Sequence, residues 1–176
     1  GFADENLAAY VVGREGRTAD DLLHAVADDL TKYAGFAIHV NYNALGEITE
    51  LTPVPFEQCR LEEEDDHGFV AHICTHPDWS GKLKRNGGYV AVNNDNIKRW
   101  PVFDPRSEVV QEQMEAVGGI DYYRGQILWV SMAGGMHYPI PIYDPAVTEI
   151  STDEGLGNVK YRNVRSNFLV SAMMIT

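Results

Sequence analysis

From Thr18 onward, apolar residues recur at helical spacing. Leu22, Leu23, Val26, Leu30 and Tyr33 take the three- and four-residue steps that line one face of a helix. Thr18 and Asp21 have the spacing of a capping box, Asp20 and Asp21 suit the positive end of the helix dipole, and Gly35 is expected to end the helix. The period then changes to two. Phe36, Ile38, Val40 and Tyr42 alternate with Ala37, His39 and Asn41, which predicts a strand. Asn43–Gly46 reads as a turn. A second strand from Glu47 carries Ile48 and Leu51 into Pro53 and Pro55, and proline within the run marks it as an edge strand or a strand end.

Residues 57–61 and 68–76 predict a hairpin around the acidic run Glu62–Asp66, and 82–98 a further short hairpin turning at Asn86-Gly87-Gly88. Asp104-Pro105 predicts a helix start, with Asp at the cap and Pro in the first turn. Val109, Val110, Met114 and Val117 form its stripe, and Gly118-Gly119 closes it. Gln126–Met132 has strand composition. Asp144-Pro145 repeats the helix-start signal ahead of Val147, Ile150, Gly157, Tyr161, Val164 and Phe168. Their alternating three- and four-residue steps predict a long helix with a packing seam. Gly155 and Gly157 weaken that helix by about 1 kcal/mol each relative to Ala, and predict a kink or a close backbone approach. The order of elements is that of an α+β fold: a small antiparallel β subdomain, flanking helices and a long C-terminal helix. Residues 1–17 read as an N-terminal arm and 18–176 as the domain.

Composition narrows the class. The chain has 176 residues, 44% of them hydrophobic, enough to bury a core. Acidic residues outnumber basic ones 26 to 14, a formal charge of −12, which opposes general adhesion to nucleic acid or anionic membranes. Two cysteines are too few for a disulfide scaffold and indicate a reducing compartment. No apolar run reaches membrane-spanning length, and the first twelve residues lack a basic signal-peptide region. The opening Gly1 and the apolar stretch Leu169–Thr176 read as the ends of a piece of a longer protein.

The chemistry-bearing motifs are sparse. Gly155-Leu156-Gly157 lacks the third glycine of a dinucleotide loop, and no Gly-Lys-Ser/Thr phosphate loop is present. Ser131 precedes Gly134-Gly135 without a nucleophile elbow, and its neighbour in sequence, His137, is not thereby a partner. His72, Cys74 and His76 alternate, so on a strand they share a face, with Cys59 on the preceding strand as a possible fourth zinc ligand. The alternative is a buried small thiol with edge histidines. The acidic run lacks the glycine and alternating oxygens of a calcium loop and reads as a solvated hairpin tip. Met136–Tyr143, rich in aromatics and prolines, reads as an extended packing segment or a peptide groove.

Two stretches resemble the portal proteins of tailed bacteriophages. In the first, Asp29–Ile38 is followed by Asn41–Pro55. This is similar to the portal pattern of a helix, a small-residue turn, an apolar strand, a Gly turn and a strand reaching Leu-x-Pro-aliphatic-Pro, here Leu51-Thr52-Pro53-Val54-Pro55. Gly68–Thr75 fits the next strand. The second stretch comprises Gln126–Met132, Tyr138–Tyr143, Thr148–Asp153 and Asn158–Phe168. It resembles the portal segment where a strand leads through a Tyr-Gly-x-Pro turn into a long helix with an Asn-rich end. Pro139 stands where many portals have Gly, residues 77–125 diverge, and no stem or clip segment is identifiable.

The resemblance covers residues 18–176 with gaps. It implies a non-enzymatic structural protein without cofactor, the wing or core region of a homo-oligomeric ring at the capsid vertex. Its implied partners are the packaging motor, the capsid and the tail adaptor, with DNA passing without specific binding, and its implied place is the virion, after assembly in the host cytoplasm. Val147, Ile150, Tyr161, Val164 and Phe168 would be the seam against the chain's own domain or the next subunit. Two other readings stay open: a metal-dependent hydrolase using the His72/Cys74/His76 face with Asp78 nearby, and an interaction domain that binds a peptide along a strand edge.

Overall fold

A computed structural model describes residues 3–13, 16–82, 84–85, 88–89 and 91–165. The chain forms two compact units, Gly1–Ile140 and Pro141–Thr176, and the architecture is α+β. The first unit contains helices α1 (Glu5–Ala8), α2 (Ala19–Tyr33) and α3 (Ser107–Ala116). Its strands are β1 (Gly35–Tyr42), β2 (Ile48–Val54), β3 (Cys59–Leu61), β4 (His72–Thr75), β5 (Lys84–Arg85), β6 (Gly88–Tyr89), β7 (Lys98–Pro101) and β8 (Gln126–Ser131). The second holds α4 (Val147–Arg165), entered through a 3-10 turn at Asp144–Ala146.

The capping box at the start of α2 is formed. Thr18 Oγ1 accepts the Asp21 N–H, and the Asp21 carboxylate accepts the Thr18 N–H at 3.0 Å. The C-cap departs from expectation. Ala34, with φ 56°, takes the left-handed position instead of Gly35. Gly35 already belongs to β1, and a Cβ there would lie 2.7 Å from the Phe56 ring and 2.9 Å from the Val130 carbonyl. Close packing, not helix termination, demands the glycine.

The antiparallel sheet β2-β1-β8 is the centre of this unit. Asn43 fixes the β1–β2 turn: its Oδ1 accepts the N–H groups of Leu45 and Glu47, and Gly46 supplies a φ of 79°. The edge position anticipated for β2 is observed. The Leu51 N–H points away from β1 to the Val12 carbonyl, so Pro53, two residues on, has its nitrogen on that outer side, where the missing donor costs the ladder nothing.

The central sheet is buried on both faces. On one, Ala37, Ile127 and Trp129 pack with Phe56, Cys59 and Ile73, part of which comes from the second antiparallel sheet, β3-β4-β7. On the other, Ile38, Val40 and Tyr42 pack with Val110 and Met114 of α3, Tyr123, and Leu22 and Val26 of α2. Each fully buried aliphatic side chain, such as Val40 or Val110, contributes about 2 kcal/mol of transfer free energy. The predicted hairpin at 82–98 is reduced to β5 and β6, with its turn residues Asn86 and Gly87 outside the described residues.

The start of α3 is also corrected. Asp104 is not its cap; the helix begins at Ser107 after Arg106. The Asp104 carboxylate instead accepts Arg106 Nη2 at 2.6 Å and the Arg106 N–H at 3.0 Å. These bonds and the guanidinium charge bring the Asp104 carboxyl down from 3.8 to about 2. A carboxyl depressed in the folded state adds stability above its unfolded pKa and loses it as pH falls through the folded value. The Asp104 contribution is therefore complete above pH 3.8 and fades toward about 2. A carboxyl-resolved NMR titration is expected to show this midpoint, and Arg106→Ala should move it back up toward 3.8.

Candidate functional site

The metal candidates do not converge. Cys59 lies directly opposite Thr75, and Cys74 opposite Arg60 and Arg99. Side chains alternate along a strand, so Cys59 shares the buried face with Ile73, and His72 and Cys74 project from the other. The placement of Cys59 opposite the histidine face is thus corrected by the register. His72 Nδ1 donates to Glu62 Oε2 at 2.7 Å, and Arg99 Nε reaches Glu62 Oε1 at 3.1 Å. Burial alone would raise the Glu62 carboxyl, but the bonds from His72 and Arg99 outweigh it and hold it below its ordinary value.

His76 lies past the end of β4 and is buried. Its Nδ1 accepts the Asp78 N–H, and its ring tilts against Trp79. Among the described residues no three His, Cys, Asp or Glu side chains gather as a metal cluster would.

Both cysteines are free and buried. Burial pushes the Cys59 thiol from 9 up to about 12 and raises Cys74 as well. A thiol held that high stays protonated at neutral pH and is a poor nucleophile. Titration with an aromatic disulfide reagent is expected to find Cys59 unreactive in the folded protein and both thiols modified at once in denaturant.

The other chemical candidates serve the fold. Asp65, in the acidic run, accepts the N–H groups of His67 and Phe69 with Oδ1 and so builds the β3–β4 turn. Ser131 Oγ accepts the Ala133 N–H in its own turn. In the aromatic and proline segment, Tyr138 packs edge-on to Trp129 and its hydroxyl accepts the Leu61 N–H at 2.8 Å on the outer side of β3. Ile140, two residues on, is exposed.

Sequence patterning gave no sign of a buried polar network. Gln126 is fully buried; its Oε1 accepts the Tyr42 hydroxyl at 2.7 Å and the Asp104 N–H at 3.1 Å. Its Nε2 donates to Gln113 Oε1, which also accepts the Tyr123 hydroxyl at 2.8 Å. Burial pushes both tyrosine hydroxyls up to about 12, so they remain donors.

Among the described residues, clefts of about 300 Å³ each open at two places on the first unit. One lies between α2 and the end of β2, lined by Asp28, Asp29, Lys32, Tyr33, Pro53 and Glu57. There Tyr33 donates to Glu57, and burial raises the Asp29 carboxyl. The other lies between the β1–β2 turn and the end of α3, lined by Ala44, Gln111, Met114, Glu115, Gly119 and Ile120. Leu45 and Val117, in the same turns, are exposed.

In the second unit, α4 is exposed at every described residue. The sequence-predicted seam residues Val147, Ile150, Tyr161 and Val164 lie on one face of this helix, with Tyr161 63% and Val164 77% exposed. Phe168 lies outside the described residues. The helix runs unbroken through Gly155 and Gly157, and among the described residues no atom beyond the helix's own backbone comes within 4 Å of a Cβ placed at either. Glu149 in the first turn and Arg162 and Arg165 in the last complement the dipole. Among the described residues no helix is long and apolar enough to cross a membrane.

Comparison with known protein families, with curated proteins and with solved structures finds no match in any of the three.

Proposed function

We propose that this chain is a portal-like structural subunit, the wing or core region of a homo-oligomeric ring at a capsid vertex through which DNA is packaged and released, and not an enzyme. One observation carries the reading. The two stretches that resemble portals are far apart in sequence, Asp29–Thr75 and Gln126–Phe168, yet strands from each are neighbours in one sheet: β1 and β2 from the first, β8 from the second. Direct pairing of strands from two separate likenesses supports a shared origin more than either likeness does alone; β4 of the first stretch lies in the other sheet, and α4 of the second lies in the second unit. The exposed apolar face of α4 adds a surface suited to contact with another molecule. In this role the chain docks the packaging motor, the capsid and the tail adaptor, and its excess of 26 acidic over 14 basic residues suits a passage to which phosphate does not adhere.

Negative-stain electron microscopy of the purified full-length protein tests this. Rings with an axial channel wide enough for duplex DNA are expected. A monodisperse monomer or dimer across salt and concentration would reject the portal reading.

A further inference from the structure

We propose that copies of this chain join head to tail, the C-terminal half of α4 on one copy seating Tyr161 in the cleft between the β1–β2 turn and α3 on the next. This deepens the ring reading and rests on it, since it names the two faces that meet.

Charge is the first ground. A chain of net charge −12 repels its own copies, so association needs local patches of opposite sign. Residues 155–165 carry Lys160, Arg162 and Arg165 and no Asp or Glu. The whole of α3 carries Glu108, Glu112 and Glu115 and no Lys or Arg. In a chain this acidic, the basic half-helix and the wholly acidic helix are complementary surfaces.

Shape is the second. The cleft of about 300 Å³ is lined by the apolar Ala44, Met114 and Ile120 together with Gln111, Glu115 and Gly119. That volume holds one aromatic side chain. On α4, Tyr161 is exposed, and a helical side chain leans over the turn preceding its own Cα. That turn contains Gly157, and among the described residues no atom outside the helix's own backbone lies within 4 Å of a Cβ placed there. Val164 continues the same face, and Lys160 and Arg165 flank it, within reach of Glu115 and Glu112 of the acceptor copy. Tyrosine is also among the residue types that dominate interface energetics.

Plug and socket are different surfaces on one chain, so the contact is heterologous and propagates into a ring or an open chain. The test is sedimentation equilibrium of the full chain over a range of concentration and salt, with circular dichroism verifying the fold of each variant. Glu115→Lys and Lys160→Glu alone are each expected to weaken association about tenfold or more, and the two together to restore it to within about threefold. A second pair of variants separates the halves. Tyr161→Ala removes the plug and Ala44→Trp fills the socket. Each alone should be monomeric, whereas an equimolar mixture should give a one-to-one pair and nothing larger, because only one intact plug and one intact socket remain.

Wild-type rings with unchanged association in the charge reversals, or no pair in the mixture, overturn this interface and leave the portal reading standing. Assembly through these residues into open chains or into closed rings too narrow for DNA sustains the interface and rejects the portal reading. A wild-type monomer under all conditions overturns both.

Discussion

Gly125→Ala is expected to cost about 4 kcal/mol of stability, the largest single loss among the described glycines of the first unit. Two penalties add. The residue has a φ of +87°, where a Cβ costs about 1–2 kcal/mol. That Cβ would also press against the Val40 carbonyl oxygen and lie 2.9 Å from His39 Nε2. Neither neighbour can yield cheaply. Val40 is a central residue of β1 and pairs with Gln126, so moving its carbonyl opens the ladder between β1 and β8. His39 Nε2 donates to the Arg124 carbonyl at 2.6 Å, which holds the turn itself. The control is Gly134→Ala, where φ is +81° and nothing lies within 4 Å; it should cost only about 1 kcal/mol. Urea unfolding followed by circular dichroism measures both. Equal losses would mean that backbone strain alone, without the clash, sets the cost at Gly125.

Gln126→Leu is expected to cost about 3 kcal/mol, although leucine is close to glutamine in size and more apolar. The substitution removes the acceptor of two donors, the Tyr42 hydroxyl and the Asp104 N–H, and the donor to Gln113. Tyr42 is buried, and a buried donor without an acceptor costs about 1–3 kcal/mol. Tyr42→Phe in the Gln126→Leu background should therefore recover part of the loss, because it removes one of the stranded donors. A double-mutant cycle by urea unfolding is expected to give a coupling of about 1 kcal/mol or more. Strict additivity would show that the Tyr42–Gln126 bond does not contribute to stability.

The elements that were legible in the sequence depend on neighbours within a few residues. Thr18 and Asp21 are three apart, and their capping box forms as the spacing predicts. Asn43 organises a turn with Leu45 and Glu47, and Pro53 marks an edge because a missing N–H is harmful wherever a second strand must pair. The long helix is legible in Pro145 and the apolar steps after it, but Asp144 is not its cap: it opens the 3-10 turn Asp144–Ala146, and α4 begins at Val147. The errors at the end of α2 and the start of α3 share a cause: each local signal was already engaged elsewhere. Gly35 was needed for its contact with Phe56, and Asp104 was held by Arg106.

The sequence by itself determined the α+β class, the β1–β2 hairpin and the existence of the long helix α4, because hydrophobic period, capping and turn chemistry act over one or two turns of chain. Only the tertiary structure decided which face Cys59 occupies, because a strand register is set by pairing with a distant segment and a one-residue slip reverses every side chain. It also decided the Tyr42–Gln126–Gln113–Tyr123 network and the cleft beside Ala44 and Met114. Both join residues that are remote in sequence, and their chemistry exists only where β1, α3 and β8 pack together. Hydrogen bonding and cavity shape depend on distances in space, and those distances are set by the packing of the whole unit.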